Sequence, residues 1–242
     1  MNYAVVIPAR YQSSRFPGKP LVDICGKSMI QHVWERCCLA VGQELVYIAT
    51  DSDKIKDECI GFGAKVIMTS SNCMTGTDRL AETNEQLNVD FVINVQGDEP
   101  LINPDDICKV IEAYKKEPST IVNAMCKISN EEEFHSFTVP KVVVSETSKL
   151  LYMSRSPIPI SKNAEFSIAY KQVCIYAFSK RHLEFFASHS AKTKLEQVED
   201  IEILRFLEND IPVRMVNVSS SSIAVDVPSD VKKVIAKLQR NK

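Results

Sequence analysis

An α/β fold built on a mostly parallel sheet is predicted by the way this sequence alternates. Short apolar runs at 4–7, 45–49, 65–68 and 91–95 suit buried strands, and stretches with helical periodicity separate them. Such alternation implies βαβ crossovers, which place ligands at the carboxyl ends of the strands. A third observation is the loop after the first run, where Arg10, Arg15 and Lys19 are interleaved with Ser13, Ser14, Pro17, Gly18 and Pro20. Three cations, two hydroxyls and an open glycine at a strand end form a cradle for a polyanion such as a triphosphate.

The elements follow in order. Ser28 with Gln31 has the form of a capping box, and Met29, Val33, Cys37 and Ala40 share one face of a helix over 28–41. The second strand ends at Thr50-Asp51, and a helix over 53–62 is closed by Gly61 or Gly63. A helix over 78–87 separates the third and fourth strands. Pro104, with Asp105 and Asp106 in the first turn, opens a helix to about Lys116. The rhythm then changes. Strands are expected at 121–126, 141–144 and 173–178, with Pro157 and Pro159 interrupting 150–160 and a polar loop at 161–169. Roughly 130–190 reads as a lobe inserted into a single domain spanning 1–242. A helix over 195–208, a strand over 213–218 and a helix over 231–238 with basic residues at its end complete the chain.

The composition narrows the function. With 242 residues, 45% hydrophobic and 25% charged, the chain suits a globular protein that buries a real core. A net charge of -2 supplies no basic field for nucleic acid or a membrane surface. No apolar run approaches a membrane span, and Met1-Asn2-Tyr3 before a strand is not a signal peptide, so a cytoplasmic protein is expected. The eight cysteines form no C-x-x-C pair and read as reduced, small hydrophobes. The Asn217-Val218-Ser219 sequon carries no weight without a leader.

Gly26-Lys27-Ser28 is not a P-loop, because Leu21 stands where that motif needs a glycine. Gly61-Phe62-Gly63 lacks the third glycine of a dinucleotide fingerprint and reads as a helix end. At the end of the fourth strand, Asn94-Val95-Gln96-Gly97-Asp98-Glu99-Pro100 offers a carboxylate for a hard cation such as Mg²⁺, or else an acidic turn. Asp226, before Pro228, suits either a helix cap or a metal ligand. His32, His135, His182 and His189 form no pair with metal spacing and no triad.

Together these motifs resemble the 3-deoxy-manno-octulosonate (Kdo) cytidylyltransferases. The matching stretches are Ile7 to Leu21, Ala49-Thr50-Asp51, Gly76 to Leu80, Asn94 to Pro100, Lys141-Val142-Val143, Tyr152 to Pro159 and Val225 to Pro228. The resemblance implies a Rossmann-like nucleotide-diphospho-sugar transferase fold, a homodimer formed through the inserted lobe, and CTP and Mg²⁺ as partners of the reaction. It implies transfer of CMP to the anomeric hydroxyl of an acidic 3-deoxy sugar for lipopolysaccharide or capsule. Carried over by position, Arg10, Lys19 and Asp98 would be catalytic. Arg10, Ser13, Ser14, Arg15, Lys19, Gly76, Thr77 and Asp98 would bind nucleotide, with Gly76 and Thr77 at the cytosine edge. Arg79, Gln96, Arg155, Gln172 and Glu202 would line the sugar side, and Asp98 and Asp226 would hold Mg²⁺. Gln172 stands where the family usually carries a histidine facing the sugar, and Ile203 where it carries a sugar-contacting glutamine. The lobe between Pro159 and Lys171 is also short, and all three departures fall on the sugar side, leaving Kdo, 8-amino-Kdo and a nonulosonic acid as acceptors. A nucleotide-binding protein without turnover is the alternative of another class.

Overall fold

The computed structural model describes residues 1–12, 16–219 and 222–240. β1 (Tyr3–Ala9) is buried from Ala4 onward and ends in the cation-bearing loop, which closes with a 3-10 turn at Lys19–Leu21. β2 (Asp23–Ile24) and β3 (Lys27–Ser28) form a tight hairpin with Cys25 (φ 57°) and Gly26 (φ 86°) at its tip. Positive φ at both tip residues matches the twist of the flanking strands, so Gly26-Lys27 is a hairpin turn. α1 (Met29–Val41) follows directly. The expected capping box does not form: the Ser28 hydroxyl is buried with no partner among the described residues, and Gln31 donates to Glu35 instead.

β4 (Val46–Thr50), α2 (Asp53–Gly61), β5 (Lys65–Met68), α3 (Gly76–Leu87), β6 (Phe91–Val95) and α4 (Pro104–Lys116) continue the alternation. α3 begins two residues earlier than its apolar pattern, because Thr75 and Asp78 close a reciprocal capping box there. β7 (Ile121–Lys127), the short α5 (Glu131–His135), β8 (Lys141–Val144), β9 (Leu150–Ser154) and β10 (Tyr170–Ser179) come next. α6 (Lys180–Ala187), which the sequence reading lacked, starts at a second capping box, between Ser179 and His182. α7 (Lys194–Glu199) and α8 (Leu204–Leu207) replace the single helix expected over 195–208. The break falls at Asp200, whose φ of 51° ends α7 in a left-handed cap. β11 (Val213–Asn217) and α9 (Pro228–Arg240) complete the fold.

The main sheet runs in the order β11-β7-β10-β6-β1-β4-β5. β6, β1, β4 and β5 are parallel, as are β11 and β7, and β10 runs antiparallel between the two groups. One face packs on α1, α2 and α4 through Val33, Cys37, Ile55, Val110 and Tyr114. The other packs on α3, α6 and α8 through Leu80, Leu183, Phe186, Leu204 and Phe206. This is the mixed, mostly parallel sheet flanked by helices that the sequence predicts. The added lobe is narrower than expected: β10 belongs to the centre of the main sheet, and only β8, β9 and the segment up to residue 169 project from it. All eight cysteines are free.

Candidate active site

A cavity of about 320 Å³ opens at the carboxyl ends of β1 and β6. Ala9 and Arg10 come to it from the end of β1, Lys19 from the following turn, Thr75 and Gly76 from the start of α3, and Gln96 to Asp98 from the end of β6. Gly76 packs closely on Gln96, since a Cβ there would lie 2.9 Å from Gln96 Nε2 and displace the end of that side chain. The Lys19 ammonium donates to Asp98 Oδ2 at 2.9 Å and to the Val225 carbonyl at 2.8 Å. The Val225 amide donates back to the Asp98 carbonyl at 2.9 Å. These three bonds hold the segment carrying Asp226 against the end of β6, and both aspartates line the cavity. Asp230, in the first turn of α9, accepts from the amides of Asp226 and Val227 at 3.1 and 3.2 Å. Burial opposes ionisation of Asp230, yet Lys233 and these amides hold its carboxyl below the usual range.

A second cavity of about 680 Å³ adjoins the first, and Gln96, Asp98, Asp200, Glu202 and Asp226 line both. Its outer wall comes from α5, the loop before β8 and the first half of β10. Two buried polar groups shape this wall. Lys141 is fully buried, and its ammonium donates to the carbonyls of Ser136, Val139 and Arg155. Burial and the neighbouring Arg155 pull its pKa down to about 8. Asn123, on β7, donates to the Val173 and Ile175 carbonyls at 3.1 and 3.0 Å across a bulge in β10. The bulge turns the Cys174 backbone toward the end of β6, where its amide donates to Glu99 Oε1 and its carbonyl accepts from the Gln96 amide. Glu99 is 5% exposed, and burial raises its pKa.

Glu202 joins the two cavities. It sits in the break between α7 and α8 and accepts from the amides of Gly76 and Thr77, at 3.1 and 2.9 Å, and from the Thr77 hydroxyl at 2.5 Å. A carboxylate at the first amides of α3 also meets the positive end of that helix. Burial nevertheless raises its pKa, against these hydrogen bonds.

The structure thus brings Arg10, Lys19, Gly76, Gln96, Asp98, Glu202 and Asp226 together at the first cavity. Ser13, Ser14 and Arg15 lie outside the described residues. Thr77 lines neither cavity, because its amide and hydroxyl both bind Glu202. Arg79, expected on the sugar side, lines the smaller cavity instead. It is 3% exposed and ties Asp51 at the end of β4 to Thr69 just after β5. Arg155 and Gln172 line the larger cavity. The Arg155 guanidinium is largely occupied by the carbonyls of Phe137, Glu199 and Asp200. Ile203 is 1% exposed and packs in the core with Leu204 and Phe206, lining neither cavity. Sequence reasoning missed Lys192 and Asp200, a 2.6 Å ion pair in the wall of the first cavity. A helix broken at Asp200 leaves no signal in an amphipathic pattern that runs on without interruption. Among the described residues no cluster of three or more metal-ligating side chains occurs.

A mostly parallel sheet whose carboxyl edge gathers lysine, arginine and two aspartates beside a second, larger cavity suits a group-transfer enzyme for an anionic substrate. The chain belongs to the cytidylyltransferase family, whose model, described as "Cytidylyltransferase", matches residues 4–215, and it is a nucleotidyltransferase. It is 42% identical over 238 residues to the 8-amino-3,8-dideoxy-manno-octulosonate cytidylyltransferase of Shewanella baltica (strain OS195), covering 96% of this chain and 97% of the relative. The protein of the same name from Shewanella piezotolerans is 40% identical over 243 residues, covering 98% and 99% of the two chains. Among solved structures, CMP:2-keto-3-deoxy-manno-octonic acid synthetase complexed with CTP superposes with a TM-score of 0.92 at 38% identity, over the full length of both chains. HddC from Yersinia pseudotuberculosis shares the fold, with a TM-score of 0.70 at 17% identity over 98% of this chain and all of its own. No helix among the described residues is long and apolar enough to cross a membrane.

Proposed function

We propose that this enzyme transfers CMP from CTP to the anomeric hydroxyl of 8-amino-3,8-dideoxy-manno-octulosonate, releasing pyrophosphate and supplying an activated sugar for a surface polysaccharide. The observation that carries this reading is the shared wall of the two cavities. Gln96, Asp98, Asp200, Glu202 and Asp226 face both, so two substrates in adjoining cavities would meet there. The names of the relatives support the acceptor, and the CTP in the matching structure supports the donor.

The first cavity would take the nucleotide and the second the sugar. Arg10 and Lys19 would hold the triphosphate, and their charge would offset the repulsion between CTP and the sugar carboxylate. In the structure Lys19 rests on Asp98, so phosphate oxygens would draw it from that carboxylate. The sugar hydroxyl would attack the α-phosphorus as the bond to the bridging oxygen of pyrophosphate breaks, with positioning supplying much of the acceleration. The residues present fit Mg²⁺. Two aspartates on one wall, with a lysine ammonium already drawn to one of them, match a cation that takes one or two carboxylates plus phosphate oxygens. Bound by Asp98 and Asp226, the metal would neutralise phosphate charge and lower the pKa of a coordinated hydroxyl. A homodimer through the lobe is the assembly we propose, supported by the exposed apolar side chains of Leu151, Ile160 and Ile168 there.

The test is pyrophosphate release from CTP and Mg²⁺ with a panel of acidic sugars. The 8-amino sugar should give the highest kcat/KM. Release with none of the 3-deoxy-2-keto acids, or turnover confined to sialic-type acids, would overturn the reading.

A further inference from the structure

In the larger cavity, the polarity of one amide is settled by a chain of hydrogen bonds that begins in the core. Asn123 is fully buried, and one end of its side chain faces two carbonyls, those of Val173 and Ile175. Carbonyl oxygens only accept, so that end is Nδ2, with both protons committed, and Oδ1 points the other way. Gln172 meets this oxygen at 3.1 Å, and Nε2 must be the atom that does so. Were the glutamine turned over, two oxygens would face each other. Gln172 Oε1 is therefore left to the cavity, and no hydrogen bond to it occurs among the described residues. The Gln172 backbone is held as well, its amide donating to the Pro140 carbonyl at 3.0 Å.

The position of this acceptor matters. Gln172 lines only the larger cavity, away from the wall where the anomeric hydroxyl would meet the nucleotide. The far end of an eight-carbon sugar acid, its C8 substituent, would reach this region. On this wall the charge of Lys171 is met by Glu133, and Glu132 adds a further carboxylate. A fixed carbonyl favours a group that can only donate. An ammonium meets it with three protons and a full charge, whereas a hydroxyl brings one proton and no charge.

Resting on the proposed acceptor, we infer that Gln172, oriented by Asn123, is a specificity-determining residue that selects an ammonium over a hydroxyl at C8. The experiment compares kcat/KM for 8-amino-Kdo and Kdo in the wild type, Gln172→Met and Asn123→Leu, with CTP affinity and thermal midpoint measured on each. Methionine keeps the volume but removes the acceptor, and the amino-to-hydroxyl ratio should fall about tenfold, the cost of exchanging a charged for a neutral hydrogen bond. Leucine at 123 frees Gln172 to turn, and the ratio should fall there too. CTP affinity should be unchanged in Gln172→Met. An unchanged ratio in Gln172→Met overturns the inference while the proposed function stands, and an unchanged ratio in a folded Asn123→Leu overturns the orienting role of Asn123. A wild type that shows no preference for the amino sugar overturns the acceptor reading itself, and the inference with it.

Discussion

Replacing Glu202 by glutamine tests whether the two cavities are joined through an ionised carboxylate. Three donors converge on its two oxygens: the amides of Gly76 and Thr77 and the Thr77 hydroxyl. Glutamine preserves the shape but turns one oxygen into a donor, so it can satisfy only one side of the cluster. The Gly76 amide, or the Thr77 pair, would then face an NH₂ group. A hydrogen bond to a charged group contributes about 1.5–3 kcal/mol, and the carboxylate at the start of α3 adds about 0.3–1 kcal/mol through the helix dipole. Glu202→Gln should therefore cost about 2–4 kcal/mol, or roughly 5–10 °C in thermal midpoint for a chain of this size. Urea unfolding measures the stability, and initial rates of pyrophosphate release measure both KM values, which should rise together because Glu202 lines both cavities. Burial raises the Glu202 pKa, and a carboxyl already protonated at neutral pH would tolerate the change. A loss below about 0.5 kcal/mol, within the range of ordinary surface substitutions, would refute the ionised cluster.

Asp98→Asn should lower turnover by at least about a hundredfold, the scale seen when one preorganised electrostatic group is removed, while leaving the thermal midpoint nearly unchanged. Near-normal turnover would remove Asp98 from the metal site. His182 predicts an acid sensitivity. Burial, aided by Arg181, lowers its pKa from 6.5 to about 4, so the unfolded chain takes up a proton at a pH where the folded chain still refuses it. Its contribution is fully present above pH 6.5 and falls away toward pH 4, by roughly 3 kcal/mol at most. His182→Gln should flatten that part of the stability profile, and an unchanged slope would refute the assignment. Leu151→Asp should convert the proposed dimer to monomer in light scattering, and a dimer that survives would place the interface elsewhere.

The strands along the main sheet from β11 to β5 and helices α1 to α4 were legible because local chemistry decides them. Apolar runs of strand length, capping residues and a proline at the start of α4 state their conformation within a few neighbours. Asp98 could be placed for the same reason: a carboxylate just past a buried run has little choice but to stand at the strand end. The errors share another cause. Ser28 and Gln31 have the spacing of a capping box, but the β2–β3 hairpin buries the serine hydroxyl, a contact set by the chain on its other side. Arg79 looks like a surface cation in a loop until β4 and β5 come together and supply Asp51 and Thr69.

The break between α7 and α8 shows why the sugar side was the harder half to read. Leu195, Val198 and Ile201 continue an apolar rhythm through Asp200, and periodicity alone gives one helix. The tertiary structure contradicts it because Arg205 is buried with its guanidinium in a paired bond to Glu196, both contacts at 2.7 Å. That buried pair folds α8 back against α7, which a continuous helix would not allow at a separation of nine residues. The turn so produced delivers Glu202 to the start of α3 and buries Ile203 in the core. A comparison position by position treats Ile203 as a changed sugar contact; the fold makes it a packing residue and leaves Gln172 as the departure that lines a cavity. The cation-bearing loop points to a polyanion through its own composition, whereas the larger cavity, the proposed acceptor site, is assembled from β7, β10 and a broken helix that meet only in the folded chain.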